Sequence, residues 1–434
     1  MALRVEYLNH ASVLLHLGGV RLLCDPWFEG TAFAGGWGLR YLNPAAPALA
    51  ATATHLWISH GHSDHLHPPT LRALARERPE LSVLVNESAD VSLAERLREL
   101  GFRRLISLPE RQPLPLTAEV TLTRYPSAGI DNMLHVRAPG WSILNCNDCH
   151  LRPRALAALR RQLGPVDLLL THYNHAGKLF DRQPVAAEKQ RSWQALSGLV
   201  DGIAPRWVIP FAGSHYYRAA ESRDQNPSLL DFDELEGRAN ADPRYVVLRI
   251  GDAVSFGAEH VVTRHVHQPP LIAAQEERLE YGDGASWDTL RRAAELRCRA
   301  LRSSFPLLSS LVGPLDIGVS DQRRVLSLDL RAGVSELPGG PTHLSAHSRA
   351  LEGWLGRPQG DDSFIAGAHF RVGQADRATL RRWVALSLLH ARRLSLRDLA
   401  SLARTREGRG FLWRRREELL ATLLAGGRDT QLAG

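Results

Sequence analysis

Six residues, His60-Gly-His62-Ser-Asp64-His65, put three imidazoles and a carboxylate directly behind the apolar run His55 to Ser59. An apolar run that opens into a glycine-bearing polar stretch reads as a buried strand ending in a loop. The fold must therefore bring a strand end, loaded with metal-binding groups, to a place that other segments can reach. Alternate residues of an extended chain face the same way, so His60 and His62 can share one ion. Asp64 and His65, at the turn, can reach a second ion a few Å away. Imidazole suits zinc or iron, and each added carboxylate moves the preference toward iron or manganese.

A two-metal centre needs a carboxylate between its ions. The best candidate is Asp148, which ends the apolar stretch Ser142-Ile-Leu-Asn-Cys146-Asn-Asp148-Cys149-His150. The same stretch matches the CxxCH string of c-type haem attachment. That attachment belongs to exported proteins, and the charges in Met1-Ala-Leu-Arg4-Val-Glu6 interrupt the apolar core of an export leader. A redox or zinc CxxC lacks a second cysteine pair. Two later strand ends carry imidazoles: Val166 to Thr171 runs into His172-Tyr-Asn-His175, and Arg206 to Phe211 into Ala-Gly-Ser-His215. His215 is expected as a metal ligand. His172 or His175 is expected as a ligand or as a catalytic neighbour that moves protons, a task Asp64 could share.

The 434 residues exceed one compact core, and a change of character divides them into 1–263 and 264–434. In the first part, short strands alternate with helices. Ser12–Leu17 and Val20–Cys24 read as a hairpin turning at Gly18-Gly19. Helices are expected at 68–78, 88–100, 153–163 and 185–203, and 25–53 reads as a long irregular loop of the kind that carries function. This alternation predicts an α/β protein with sheets sandwiched between helices. The second part reads as mostly helical (287–301, 341–355, 377–391, 410–424) with one strand at 325–330. Four cysteines do not form a disulfide framework, and no run is long and apolar enough to span a membrane, so a cytoplasmic protein is expected. A net charge of +7 with dispersed Arg suits an anionic small-molecule substrate better than nucleic acid. The oligomeric state leaves no trace in the sequence.

Taken in order, the histidine string at 60–65, the strand-end Asp148 and the strand-end His215 resemble the metallo-β-lactamase superfamily over about residues 4–262. The resemblance implies an αββα sandwich with a dinuclear centre in the cleft between its sheets. His60 and His62 then match the ligands of the first ion, Asp64 and His65 those of the second, and Asp148 the bridge. Where the superfamily has a third histidine for the first ion, this chain reads Ala128-Gly-Ile-Asp131-Asn-Met-Leu-His135. Asp131 matches the carboxylate of iron-dependent members, and His135 is the alternative.

Asn9-His10-Ala-Ser, Ile143-Leu-Asn-Cys-Asn-Asp148-Cys149, Ile209-Pro-Phe-Ala-Gly213 and Gly360-Asp-Asp-Ser-Phe-Ile-Ala-Gly-Ala-His-Phe370 further resemble the CMP-N-acetylneuraminate hydroxylase branch. That branch implies a diiron oxygenase acting on a small polar, anionic metabolite. The C-x-H and C-x-x-H pairs of a Rieske cluster are not among these residues, so an external reductase is the expected partner. The alternative is a dizinc (or dimanganese) hydrolase of a phosphoester, lactone or amide, in which water activated by the metals is the nucleophile. A non-catalytic scaffold is the third. Trp27, Phe28, Trp37, Tyr173, Tyr216 and Tyr217 are candidates to line the substrate cleft, and Arg218 and Arg223 to meet an anion.

Overall fold

The computed structural model describes residues 1–86, 92–127, 131–257, 262–265, 271–272, 277–306, 308–357, 360–391 and 404. Its first eight-stranded sheet runs, edge to edge, Val262–His265, Ala253–Phe256, Leu3–Asn9, Ser12–Leu17, Val20–Cys24, His55–Trp57, Ser82–Asn86 and Arg104–Leu108. The expected hairpin turns at Gly18-Gly19, with Leu17 opposite Val20 and Gly18 at φ +58°. A second, six-stranded sheet follows the order Pro113–Pro115, Thr121–Pro126, Asn132–Ala138, Trp141–Asn147, Leu168–His172 and Trp207–Phe211.

Side-chain alternation turns these sheets into layers. Val13, Leu15, Leu22 and Trp57 face one way and join Leu134, Val136 and Ile143 of the second sheet in one core. Leu14, Leu23, Leu56 and Val83 face the other way, onto Leu71, Leu74 and Leu97 of helices Pro68–Glu77 and Ser92–Glu99. Helices Pro153–Leu163 and Val185–Ile203 contribute Leu156, Leu159, Leu196 and Val200 to the core of the second sheet. The order helix, sheet, sheet, helix is the expected αββα sandwich.

Two expectations change. Residues 25–53 are less irregular than their composition suggests. Trp37–Leu39 pairs antiparallel with His215–Tyr217, and Ala46–Ala51 is helical. In the C-terminal part helices do predominate, but they pack on a five-stranded sheet of Gly333–Leu337, Arg324–Asp329, Leu315–Val319, Leu344–Ala346 and Arg371–Val372. The helix expected at 341–355 is strand Leu344–Ala346 followed by helix Ser348–Gly356. Its start is set by His347, whose ring accepts from the Arg349 N–H. Strands of two to five residues are too short to show a period, and therefore only one of the five was anticipated. The helix expected at 410–424 lies outside the described residues.

Candidate metal centre

Four non-glycine residues with left-handed backbone sit at the ends of four strands of the sandwich. They are His10 (φ +31°), Asp25 (+42°), Asn147 (+55°) and Ala212 (+51°). Each such turn costs of order 1–3 kcal/mol, and such strain persists where surrounding contacts hold it. Here the contacts tie them in two pairs. The Ala212 N–H donates to the His10 carbonyl at 2.8 Å, and Asn147 Nδ2 donates to Asp25 Oδ2 at 2.6 Å. The strand ends so fixed surround the cleft into which residues 60–65 turn.

His60 is fully buried. Its Nδ1 meets Ser59 Oγ at 2.9 Å, and its Nε2 faces His62 Nδ1 at 2.8 Å and Asp131 Oδ1 and Asp148 Oδ2 at 3.7 Å each. Asp131, not His135, joins the two histidines. His135 lies within strand Asn132–Ala138 with its Nε2 on Ser142 Oγ at 2.9 Å. His65 is held from behind, its Nδ1 donating to Asp25 Oδ2 at 3.0 Å. Its Nε2 lies 3.2 Å from Asp64 Oδ2 and 3.5 Å from Asp148 Oδ2 but makes no well-formed hydrogen bond. Asp25 also accepts the Ser59 N–H at 2.8 Å, so one buried carboxylate orients the loop and the ring together.

Three sets of ligand atoms result, each within 4.8 Å: His60, His62 and Asp131; His60, His65 and Asp148; and His10, Asp64 and His65. The first and second share His60, and the second and third share His65, so the cluster is continuous. The residues fit two cations. The buried Oδ1 atoms of Asp64 and Asp148 accept no hydrogen bond, and the nitrogen and carboxylate donors suit a transition metal. Electrostatics agree. Burial opposes ionisation of Asp64, yet the neighbouring His65 and the hydrogen bond from His10 hold its carboxyl well below the usual range. Burial likewise disfavours charge on His65, but Asp64, Asp148 and Asp25 surround the ring with negative charge and raise its proton affinity well above the ordinary value. His60, by contrast, is driven by burial to about 3, so its lone pair is available at neutral pH.

The remaining site candidates separate. His215 lines the cleft and stacks on Trp37 (ring centroids 3.9 Å apart, planes at 12°), but it belongs to none of the three sets, and neither of its ring nitrogens has a hydrogen-bond partner. His10 occupies the position beside Asp64 and His65, with its Nε2 3.2 Å from Asp64 Oδ2. His172 also lines the cleft, its Nδ1 donating to the Asn147 carbonyl at 3.2 Å, beside His150. His175 does not reach it. Its ring bonds Ser228 Oγ at 3.0 Å and Tyr217 Oη at 3.3 Å. Of the six aromatics considered for the cleft, Trp37 lines it, and Trp27, Tyr173 and Tyr217 are buried in the core. Arg218 is committed to the Gly35 carbonyl and Glu277. Cys146 and Cys149 are buried free thiols, and burial raises both, as befits packing residues.

His10 and Asp25 lie outside any ligand motif. The one sequence signal at Asp25 is its place at the end of an apolar strand, shared with Asp148.

Among the described residues no helix is long and apolar enough to cross a membrane. Residues 4–212 match the beta-lactamase superfamily domain family. Over 226 residues (48% of this chain and 40% of the relative) the chain is 40% identical to the cytidine monophosphate-N-acetylneuraminic acid hydroxylase of Cricetulus griseus. Over 245 residues (51% and 39%) it is 39% identical to that of Danio rerio. The chain thus spans about two-fifths of the length of these curated relatives. Among solved structures it resembles CmlA, a diiron beta-hydroxylase from Streptomyces venezuelae, with a TM-score of 0.42 and 19% identity over 58% of this chain and 53% of that one. Residues 4–212 thus resemble the beta-lactamase superfamily domain.

Proposed function

We propose that this protein is a dinuclear iron oxygenase that hydroxylates a small polar, anionic metabolite. The observation that carries the reading is the carboxylate in the third place of the first ligand set: Asp131 stands with His60 and His62 where a third imidazole would favour zinc. Together with Asp64 and Asp148 it makes the centre rich in oxygen donors. The 40% identity to hydroxylases across half the chain supports the same chemistry.

On this reading His60, His62 and Asp131 would hold one ion and Asp64, His65 and His10 the other, with Asp148 within reach of both His60 and His65. His10 then takes the place expected of His215. Two ferrous ions, when bound, supply the electrons and open coordination positions that oxygen chemistry requires. The chain's own residues do the rest. His172 donates its Nδ1 proton to the Asn147 carbonyl, which leaves Nε2 as a proton acceptor at the cleft wall, and burial keeps the ring neutral. His215 and Trp37 add a flat, stacked surface to the cleft lining. An external reductase would restore those electrons between turnovers.

The test is oxygen uptake by the chemically reduced, iron-loaded protein. CMP-N-acetylneuraminate is the first compound to try, because the relatives are named for it. Uptake that rises with the compound and yields a hydroxylated product in matching amount supports the reading. Hydrolysis of phosphoesters, lactones or amides by the zinc-loaded protein, with no uptake by the iron form, would replace it with the hydrolase.

A further inference from the structure

Each histidine of residues 60–65 has an outer partner on the ring nitrogen that faces away from the ligand cluster. For His60 it is Ser59 Oγ and for His65 it is Asp25, both from the metallo-β-lactamase-like domain. His62 is different. It turns Nδ1 toward His60 and the cluster, and its Nε2 points to Asp362 Oδ1, 3.9 Å away, in the C-terminal part of the chain. A histidine that gives its Nδ1 lone pair to a cation must carry its proton on Nε2. A carboxylate beside that proton holds the tautomer and the ring orientation and makes the ligand more basic.

The placement of Asp362 is built. It lies in the helix Gly360–Ala366, and its neighbour Asp361 is fully buried with both oxygens occupied, by Arg297 at 2.9 Å and by Trp354 Nε1 at 2.7 Å. Arg297 also donates to the carbonyls of Trp354 and Arg357, which ties the helix to its predecessor. Just beyond the helix, the chain presses on the loop that faces His62. A Cβ on Gly36 would lie 2.6 Å from the Gly367 carbonyl oxygen, and His369 Nε2 donates to the Phe33 carbonyl at 2.7 Å. Tyr281 Oη, 2.8 Å from His369 Nδ1, fixes that ring in turn. The Phe33 ring stands edge-on to His62. Asp362 itself is partly open to solvent, so its own burial gives the fold little.

We infer that Asp362 is a positioning residue for the metal centre: the C-terminal part supplies the outer carboxylate of His62 and so completes the first metal position from outside the metallo-β-lactamase-like domain. The inference rests on the reading of His60, His62 and Asp131 as metal ligands. The test is competition titration of the full chain with Zn(II) and Co(II) against a chromophoric chelator, with the visible spectrum of the cobalt form recorded alongside. In Asp362→Asn and Asp362→Ala one of the two ions binds about 10- to 100-fold more weakly, and its cobalt bands shift. The other ion is unaffected, Asp362→Glu recovers most of the loss, and the metal-free protein melts as the wild type does. Wild-type affinity for both ions in Asp362→Ala would overturn the inference, as would a loss that Asp362→Glu shares with a lowered metal-free melting temperature. His62→Ala separates the levels. If it kept both ions at full affinity, the ligand reading itself would fall, whatever Asp362 does.

Discussion

Asp25 holds three donors with two oxygens: the Ser59 N–H, His65 Nδ1 and Asn147 Nδ2. Replacing it with Ala takes the acceptor from the buried Ser59 N–H and Asn147 Nδ2 and leaves His65 Nδ1 only the longer contact to Ser59 Oγ at 3.3 Å. Asp25→Ala should therefore weaken the ion at His65 by about 10- to 100-fold, measured by chelator competition. His175 makes the opposite case. Burial lowers it to about 4 from an ordinary 6.5, so between those values the unfolded chain takes a proton that the folded chain refuses. Stability should fall as pH drops from about 6.5 toward 4, by up to roughly 3 kcal/mol from this group. His175→Gln should flatten that dependence in denaturant titrations and leave metal content at the wild-type level. Loss of metal in His175→Gln would return the residue to the site. Residues 60–65 and Asp148 were legible because their chemistry is packed into short strings. Asp25 was not, because it is a single residue whose partner lies 40 positions away and whose role depends on a left-handed turn; His10 was legible as part of a resembling string but not as a ligand, since Asp64 lies 54 positions away.

Elements carry the same lesson at a larger spacing. The hairpin at Gly18-Gly19 and helices Pro153–Leu163 and Val185–Ile203 lie where periodicity and turn residues put them. The short strands of the C-terminal sheet do not, since pairing partners rather than local pattern define them. In that region the Arg297–Asp361 pair is the contact most exposed to a single change, because both groups are sealed from water. Arg297→Ala leaves a buried carboxylate without its cation and should cost about 3–5 kcal/mol in chemical denaturation. Replacing the two together, Arg297→Met with Asp361→Leu, should recover much of it, since a well-packed apolar pair carries no desolvation penalty. Equal destabilisation by the single and double variants would mean that the pair serves packing alone.

Among the described residues, two large bodies of hydrophobic packing can be told apart, with a smaller cluster in which Ala368 packs with Trp27, Phe33 and Trp37. One fills and flanks the sandwich, and the other surrounds the C-terminal sheet. The sandwich was legible because it resembles a family. The contribution of the second body was not, because Asp362 and His369 act on residues some 300 positions earlier in the chain. The metal reading makes a demand on the whole assembly: two cations within one cluster, both dependent on Asp148, with iron preferred for its oxygen donors. The decisive measurement is the metal content of the full chain purified without oxygen, beside Asp148→Ala treated in the same way. Close to two irons per wild-type chain and a large loss in the variant are expected. Two zincs in the wild type would contradict the oxygenase, and undiminished metal in Asp148→Ala would contradict the centre itself.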